Sequence, residues 1–316
     1  MSSSSIQNQQ QLPQFNKTKT SFSFNRAFRV RMQNQMFKYF FFFSIAMLCL
    51  VLGLVLYLVA QTGLLTFHDV SPSEFFFSLN WAPEEEHYGA GALIIGTLFL
   101  TGLTLIFAVP LSIGIALFTA EIAPGWFKRI LRPILDLLVG IPSVIYGYIG
   151  LTVLVPLIRD YSGEGLGDGL LAASLVLTIM ILPTISRISD DAITSVPESY
   201  RSAAYALGST RLQTMLFVVI PSARRGIMSA IILGMARAIG ETMAVVMVIG
   251  NTPQLAKHLI MPTSVLTSNI VMQVSNVEFD SVWNHALYLM AFILLIISLL
   301  LIICIRFLKP KEEASA

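Results

Sequence analysis

The sequence predicts an all-α polytopic membrane protein with six transmembrane helices. Three observations predict it: an apolar, charge-poor composition, six long apolar runs, and a lopsided distribution of basic residues. Of 316 residues, 55% are hydrophobic and only 12% are charged, and the mean hydropathy is +0.75. A soluble domain carries about 25% charged residues, so this chain has too little polar surface to cover a water-facing fold. A soluble enzyme, a secreted disulfide scaffold and a nucleic-acid binder are thereby excluded. The two cysteines, Cys49 and Cys304, lie inside apolar runs and supply neither a disulfide framework nor a metal site.

A helix needs about 20 apolar residues to cross a hydrocarbon layer roughly 30 Å thick. Runs at 37–60, 91–119, 133–158, 169–186, 226–250 and 283–305 meet that length. The first is too long, and begins too far into the chain, for a cleaved signal peptide; it reads as a retained span. Pro110, Pro142, Pro156 and Pro183 interrupt the later runs. Each withholds a backbone donor, which a membrane tolerates only where neighbouring helices or cavity water satisfy the freed carbonyl. Gly140, Gly147 and Gly150 add small contact points for helix packing. Interrupted helices of this kind suit a path-lining bundle or an ordinary one.

Of the 20 Lys and Arg, 17 fall on one side of these spans. Only Arg159 and Lys257 fall on the other, and Arg237 lies inside a span. The positive-inside rule then places both termini in the cytoplasm. Residues 1–36 read as a cytoplasmic tail, 37–306 as the transmembrane domain and 307–316 as a short cytoplasmic tail. The first 25 residues are rich in Ser, Gln and Asn and are expected to be disordered. The stretch from Phe24 to Phe37 fits an interfacial lead-in. The outward segment 61–90 carries Asp69, Glu74, Glu84, Glu85 and Glu86 beside Trp81 and Tyr88. It suits a solvated loop with interfacial aromatics, or a dock for a soluble partner.

The connection at about 187–225 is patterned rather than featureless. Pro197 occupies a first helical position, and Glu198 is favourable in the first turn. Tyr200, Ala203, Ala204 and Leu207 recur at i, i+3, i+4 and i+7 on one helical face. Gly208 closes that helix, and Ser209 caps a second one running to Pro221. A docking surface and an interfacial anchor share this periodicity.

Span five places Arg237 and Glu241 one turn apart, on a stripe shared with Ala230 and Gly234. A charge at a helix centre costs roughly 2.5–3.5 kcal/mol to insert, and neither is needed to make a span. Two readings follow. In one, the Arg237 fork meets an oxyanion while Glu241 positions it and keeps capture weak enough for release. In the other, the two form a self-satisfied pair that fixes packing, through Asp136 on span three. There is no G-x-x-x-x-G-K-[ST] run, no Ser-His-Asp or Cys-His set and no metal cluster. His68, His87, His258 and His285 read as solvated residues near outward loops. The chain is therefore expected to be non-catalytic and to hold no cofactor.

Two stretches carry a family resemblance. Ser202-Ala203-Ala204, then Gly208, then Val218-x-Ile220-Pro221 is similar to the "EAA" loop of bacterial ABC importer permeases, with Ser202 in place of the usual Glu. The run from Leu233 through Arg237, Gly240, Glu241, Thr242, Met243 and Ala244 to Val245, followed by Gly250-Asn251, resembles the phosphate-specific permeases, in their PstC-type subunit. Gly96-Thr97-Leu98, Ala120-Glu121 with Pro124, and Gly140-Ile141-Pro142-Ser143 agree with it, so the resemblance covers about 76–251. It implies a six-helix ABC importer permease with a cytoplasmic coupling helix, in the bacterial inner (plasma) membrane, moving inorganic phosphate. It further implies ATPase docking by the 197–221 loop, through Tyr200, Ser202, Ala203, Ala204, Leu207, Gly208 and Pro221. ATP would sit on the partner ATPase. The implied partners are a sister permease, two ATPase subunits and a periplasmic phosphate-binding protein. A sulfate- or molybdate-type permease remains the nearest alternative. A proton-coupled anion carrier using Glu241 or Asp136 is the alternative from another class.

Overall fold

The computed structural model describes residues 19–163 and 166–307. Most of the sequence expected to form the two tails, 1–18 and 308–316, lies outside the described residues. Helix α1 runs Lys19–Leu64. Its portion up to Tyr57 belongs to a unit of its own, with every side chain from Gln35 to Tyr57 exposed. A helix that is apolar all round is built to meet hydrocarbon on every side.

From Leu58 onward the chain forms the second unit. A short turn and α2 (Pro72–Phe77) lead to a small hairpin, β1 (Trp81–Ala82) and β2 (His87–Tyr88). Then come α3 (Gly91–Leu117), α4 (Gly125–Val139), α5 (Ser143–Ile149), α6 (Val155–Ser162), α7 (Leu170–Thr194), α8 (Glu198–Ala206) and α9 (Arg211–Thr214). The remainder is α10 (Ile220–Ile239), α11 (Met243–Val248), α12 (Leu266–Gln273) and α13 (Val282–Phe307). Single π-helical turns at Phe118–Ile122, Gly150–Leu154 and Met215–Val219 continue α3, join α5 to α6 and join α9 to α10.

Helix α7 is the centre, packed along α3 and α10 and against α4. Its small and aliphatic residues Ala172, Ala173, Val176, Leu177, Met180 and Ile181 are buried. Gly234 is what lets α10 come close: a β-carbon there would fall 2.5 Å from the Ile185 side chain. The polar residues of α3 satisfy themselves in this apolar setting. Thr97, Thr101 and Thr104 donate to the carbonyls of Leu93, Thr97 and Leu100 at 2.8, 2.8 and 2.7 Å, as an unpaired buried hydroxyl would be costly. A second core joins Phe75, Trp81 and Tyr88 to Leu93, Leu266, Leu287 and Met290. Gln273 Oε1 accepts from both Trp81 Nε1 (3.1 Å) and Trp283 Nε1 (2.9 Å) there. A third, smaller core (Ala116, Ile193, Val196, Val219, Ala223, Ile227) underlies α8.

Among the described residues, six segments are long and apolar enough to cross a membrane: Gln35–His68, Gly91–Ile122, Ser143–Ser162, Leu170–Thr194, Arg211–Ile239 and Val282–Phe307. Three differ from the sequence expectation in an instructive way. The third begins at Ser143, because Gly140-Ile141-Pro142 breaks the chain and leaves α4 as a separate, largely exposed amphipathic helix. Asp136 therefore lies on α4 and not on a span. The fourth continues through Arg187 to Thr194, its charges satisfied by neighbours. The fifth ends at Ile239, where Gly240 to Thr242 interrupt the helix before α11.

Candidate functional site

Helix α8 begins at Glu198 with Pro197 in the extended cap position, where its missing donor costs nothing. Gly208 follows the helix with φ +80°, a left-handed conformation that glycine adopts without strain. The cap of the next helix is Thr210 rather than Ser209. Its hydroxyl accepts from Gln213 N (3.3 Å), and Gln213 Oε1 accepts from Thr210 N (2.9 Å), a reciprocal capping box. Pro221 does not end the second helix. It sits in the first turn of α10, just after the Met215–Val219 π turn, and the chain stays helical from Arg211 to Ile239.

The expected single face of α8 is divided. Ala204 is buried, whereas Tyr200, Ser202, Ala203 and Leu207 are exposed, Leu207 by 88%. The buried partner of Ala204 is Arg201, which periodicity of apolar residues does not mark. Arg201 donates to Glu121 Oε1 from Nε (3.2 Å) and from one terminal nitrogen (2.7 Å). It also donates to the carbonyls of Val196 (2.5 Å) and Ile193 (3.1 Å). Arg211 donates to the Glu121 carbonyl. With α8 tied down through Arg201 and Ala204, the side chains of Tyr200, Ala203 and Leu207 stay exposed.

Two further arginines are paired on this same side of the bundle. Arg132 on α4 makes a two-pronged contact with the fully buried Asp190 of α7, at 2.7 and 3.0 Å. Arg187 on α7 meets Asp136 of α4 at 3.0 Å and also contacts Asp191. Asp136 is thus committed to Arg187, and it forms no ion pair with Arg237.

Arg237 stands apart. It lies in the last turn of α10, half-buried, and donates to Thr184 Oγ1 of α7 at 3.0 Å. The expected Arg237–Glu241 pair is absent: among the described residues, no carboxylate lies within ion-pairing distance of Arg237. An i, i+4 pair needs an unbroken helix, and α10 ends at Gly240. Glu241 instead turns to α11, where its Oε1 accepts from Ala244 N (3.2 Å), and its carbonyl accepts from Thr267 (3.2 Å). A guanidinium with one neutral partner and four other donors can take up an oxyanion. Among the described residues no group of three His, Cys, Asp or Glu is placed to hold a metal ion. His285 is not simply solvated as expected; its Nε2 lies 3.0 Å from Asp280 Oδ1.

Comparison with known proteins agrees with this architecture. Residues 109–313 match the family described as binding-protein-dependent transport system inner membrane component. A probable ABC transporter permease protein, YqgH of Bacillus subtilis (strain 168), is 47% identical over 248 residues, covering 78% of this chain and 80% of that protein. The phosphate transport system permease proteins PstC of Xylella fastidiosa (strain 9a5c) and Haemophilus influenzae (strain KW20 / Rd) are 38% and 36% identical. The first alignment covers 73% of this chain and 77% of that one, the second 76% and 81%. Among solved structures, a bacterial ABC transporter involved in import of the acidic polysaccharide alginate shares the fold. Its TM-score is 0.60 at 14% identity, over 88% of this chain and 98% of that one. The chain belongs to the family of binding-protein-dependent transport system inner membrane components.

Proposed function

We propose that this chain is the permease subunit through which an ATP-driven importer moves inorganic phosphate, with Arg237 as the anion contact of the path. The observation that carries the reading is the charge of Arg237 on a spanning helix, held among the described residues by the Thr184 hydroxyl and by no carboxylate. A charge kept at that depth without a carboxylate is expensive as packing and useful as a binding site. Phosphate brings about −1.5 to −2 charge and several acceptor oxygens to such a fork. The names of the PstC relatives point to the same anion. Glu241, capping α11, leaves the arginine unneutralised, so capture and release depend on one cation and neutral groups.

Transport of a divalent anion against an inside-negative potential costs about 2.3 kcal/mol per charge per 100 mV, so a source of energy is needed. The loop from Pro197 to Pro221 is the dock for the ATPase that supplies it. The exposed Tyr200, Ser202, Ala203 and Leu207 form its contact face, Gly208 sets its turn, buried Ala204 seats α8, and Pro221 opens α10 at the end of the loop. This reading has α8 and both termini in the cytoplasm, in keeping with the lopsided distribution of basic residues along the sequence. The chain itself holds no cofactor; ATP binds the partner. The complete importer comprises this chain, a sister permease, two ATPase subunits and a periplasmic phosphate-binding protein.

Vesicles reconstituted with all of these components test the proposal. ATP should drive uptake of radiolabelled phosphate, and omission of the ATPase should abolish it. Uptake by this chain alone under a proton gradient would overturn the importer reading. Equal inhibition by sulfate at matched concentration would move the substrate to the sulfate class.

A further inference from the structure

We infer that Glu121 is the positioning residue through which the loop helix α8 moves the membrane-spanning helices, held from both arms of the loop by Arg201 and Arg211. The inference rests on the reading of that loop as the ATPase dock. It concerns what lies behind the dock.

The inward face of α8 offers little else to hold it. Of its nine residues only Arg201 and Ala204 are buried, and one buried methyl contributes about 0.8 kcal/mol. Apolar packing of that size cannot fix the direction of a nine-residue helix. The Arg201 fork can, because each nitrogen is spoken for: two bonds to Glu121 Oε1 and one each to the Val196 and Ile193 carbonyls. Both side chains are about nine-tenths buried, at 11% and 10% exposure. In so little water the attraction is weakly screened and the geometry is set by the fork.

Glu121 is also reached from the returning arm, where Arg211 donates to its carbonyl. Side chain and backbone of one residue are thus held by α8 and by α9. That residue lies in the π turn that ends the second span, a widened turn of the sort that marks functional sites. The span it belongs to packs along α7, which carries Thr184, the hydrogen-bond partner of Arg237. A displacement of α8 therefore enters the second span at Glu121, and it reaches the anion contact through one helix interface.

The test uses the complete reconstituted importer with Glu121→Gln, which keeps size and removes charge, and Arg201→Lys, which keeps charge and removes the fork. Three quantities are read: ATPase retained on purification, ATP hydrolysis, and phosphate moved per ATP. Both variants are expected to retain the ATPase and to hydrolyse ATP near the normal rate, while phosphate per ATP falls about tenfold. An unchanged ratio in either folded variant would overturn the proposal. So would a parallel loss of hydrolysis and uptake with lowered melting temperature, which marks simple structural support. Failure of the unaltered chain to retain any ATPase would instead remove the docking reading, and this inference with it.

Discussion

Two regions of this molecule use arginine in opposite ways. On the α8 side of the bundle, Arg132, Arg187 and Arg201 each meet a carboxylate, and the three pairs join α4 to α7 and α8 to the end of the second span. At the break after α10, Arg237 has a threonine hydroxyl and, among the described residues, no carboxylate. Removing one member of either α4–α7 pair leaves its partner unsatisfied, so those two pairs report on structure, whereas Arg201 with Glu121 ties the loop to the second span. An arginine left unmatched beside a helix break is available to a ligand. The contrast teaches that partnering, rather than residue type, separates Arg132 and Arg187, which hold α4 to α7, from Arg237, the proposed anion contact.

Four substitutions sharpen or break that contrast. The largest effect is expected for Arg237→Gln, which removes a charge-assisted contact of about 1.5–3 kcal/mol. Phosphate uptake by the reconstituted importer should fall on the order of 100-fold, with the complex still assembled. Next comes Asp190→Ala, which strips Arg132 of its carboxylate and leaves it one hydrogen bond, to Thr194 at 3.4 Å. Breaking a buried pair costs roughly 3–5 kcal/mol, discounted here because Arg132 is about one-third exposed. A loss of about 2–3 kcal/mol should appear as a lower melting temperature in detergent. For Gly208→Val, a β-carbon meets open space, so only the φ of +80° is penalised, by about 1–2 kcal/mol. ATPase retained on purification should drop accordingly, whereas unchanged retention would remove Gly208 from the dock. The smallest effect belongs to Asp136→Asn. This exposed carboxylate shares Arg187 with Asp191, so stability should change by less than about 1 kcal/mol. Loss of uptake in that variant would restore Asp136 to the path.

The spans were legible because hydropathy integrates over some 20 residues and tolerates local errors. Their ends were not. In sequence Gly140-Ile141-Pro142 looks like an interruption within one span; in the structure it separates an amphipathic helix from the span proper. At Gly240 the same kind of error had a larger consequence, since the Arg237–Glu241 spacing has meaning only in a continuous helix. Thr210 outcompeted Ser209 as cap because Gln213, three residues on, completes its box; that signal was present in the sequence. The arginine pairs carry no local signal. Arg132 and Asp190 are 58 residues apart, and Arg201 and Glu121 are 80 apart, so only the packing of α4, α7 and α8 brings them together. Arg187, Asp190 and Asp191, at i, i+3 and i+4, were the one local hint that this face carries charge.

The most direct test sets Arg237→Gln beside Arg132→Gln in the same purified complex, with melting temperature and ATP-driven phosphate uptake measured on each. The account predicts that Arg237→Gln melts like the unaltered complex and fails to transport, while Arg132→Gln melts several degrees lower and keeps uptake in proportion to the folded fraction. An Arg237→Gln complex that melts as low as Arg132→Gln, or that still takes up phosphate at the normal rate, would contradict it.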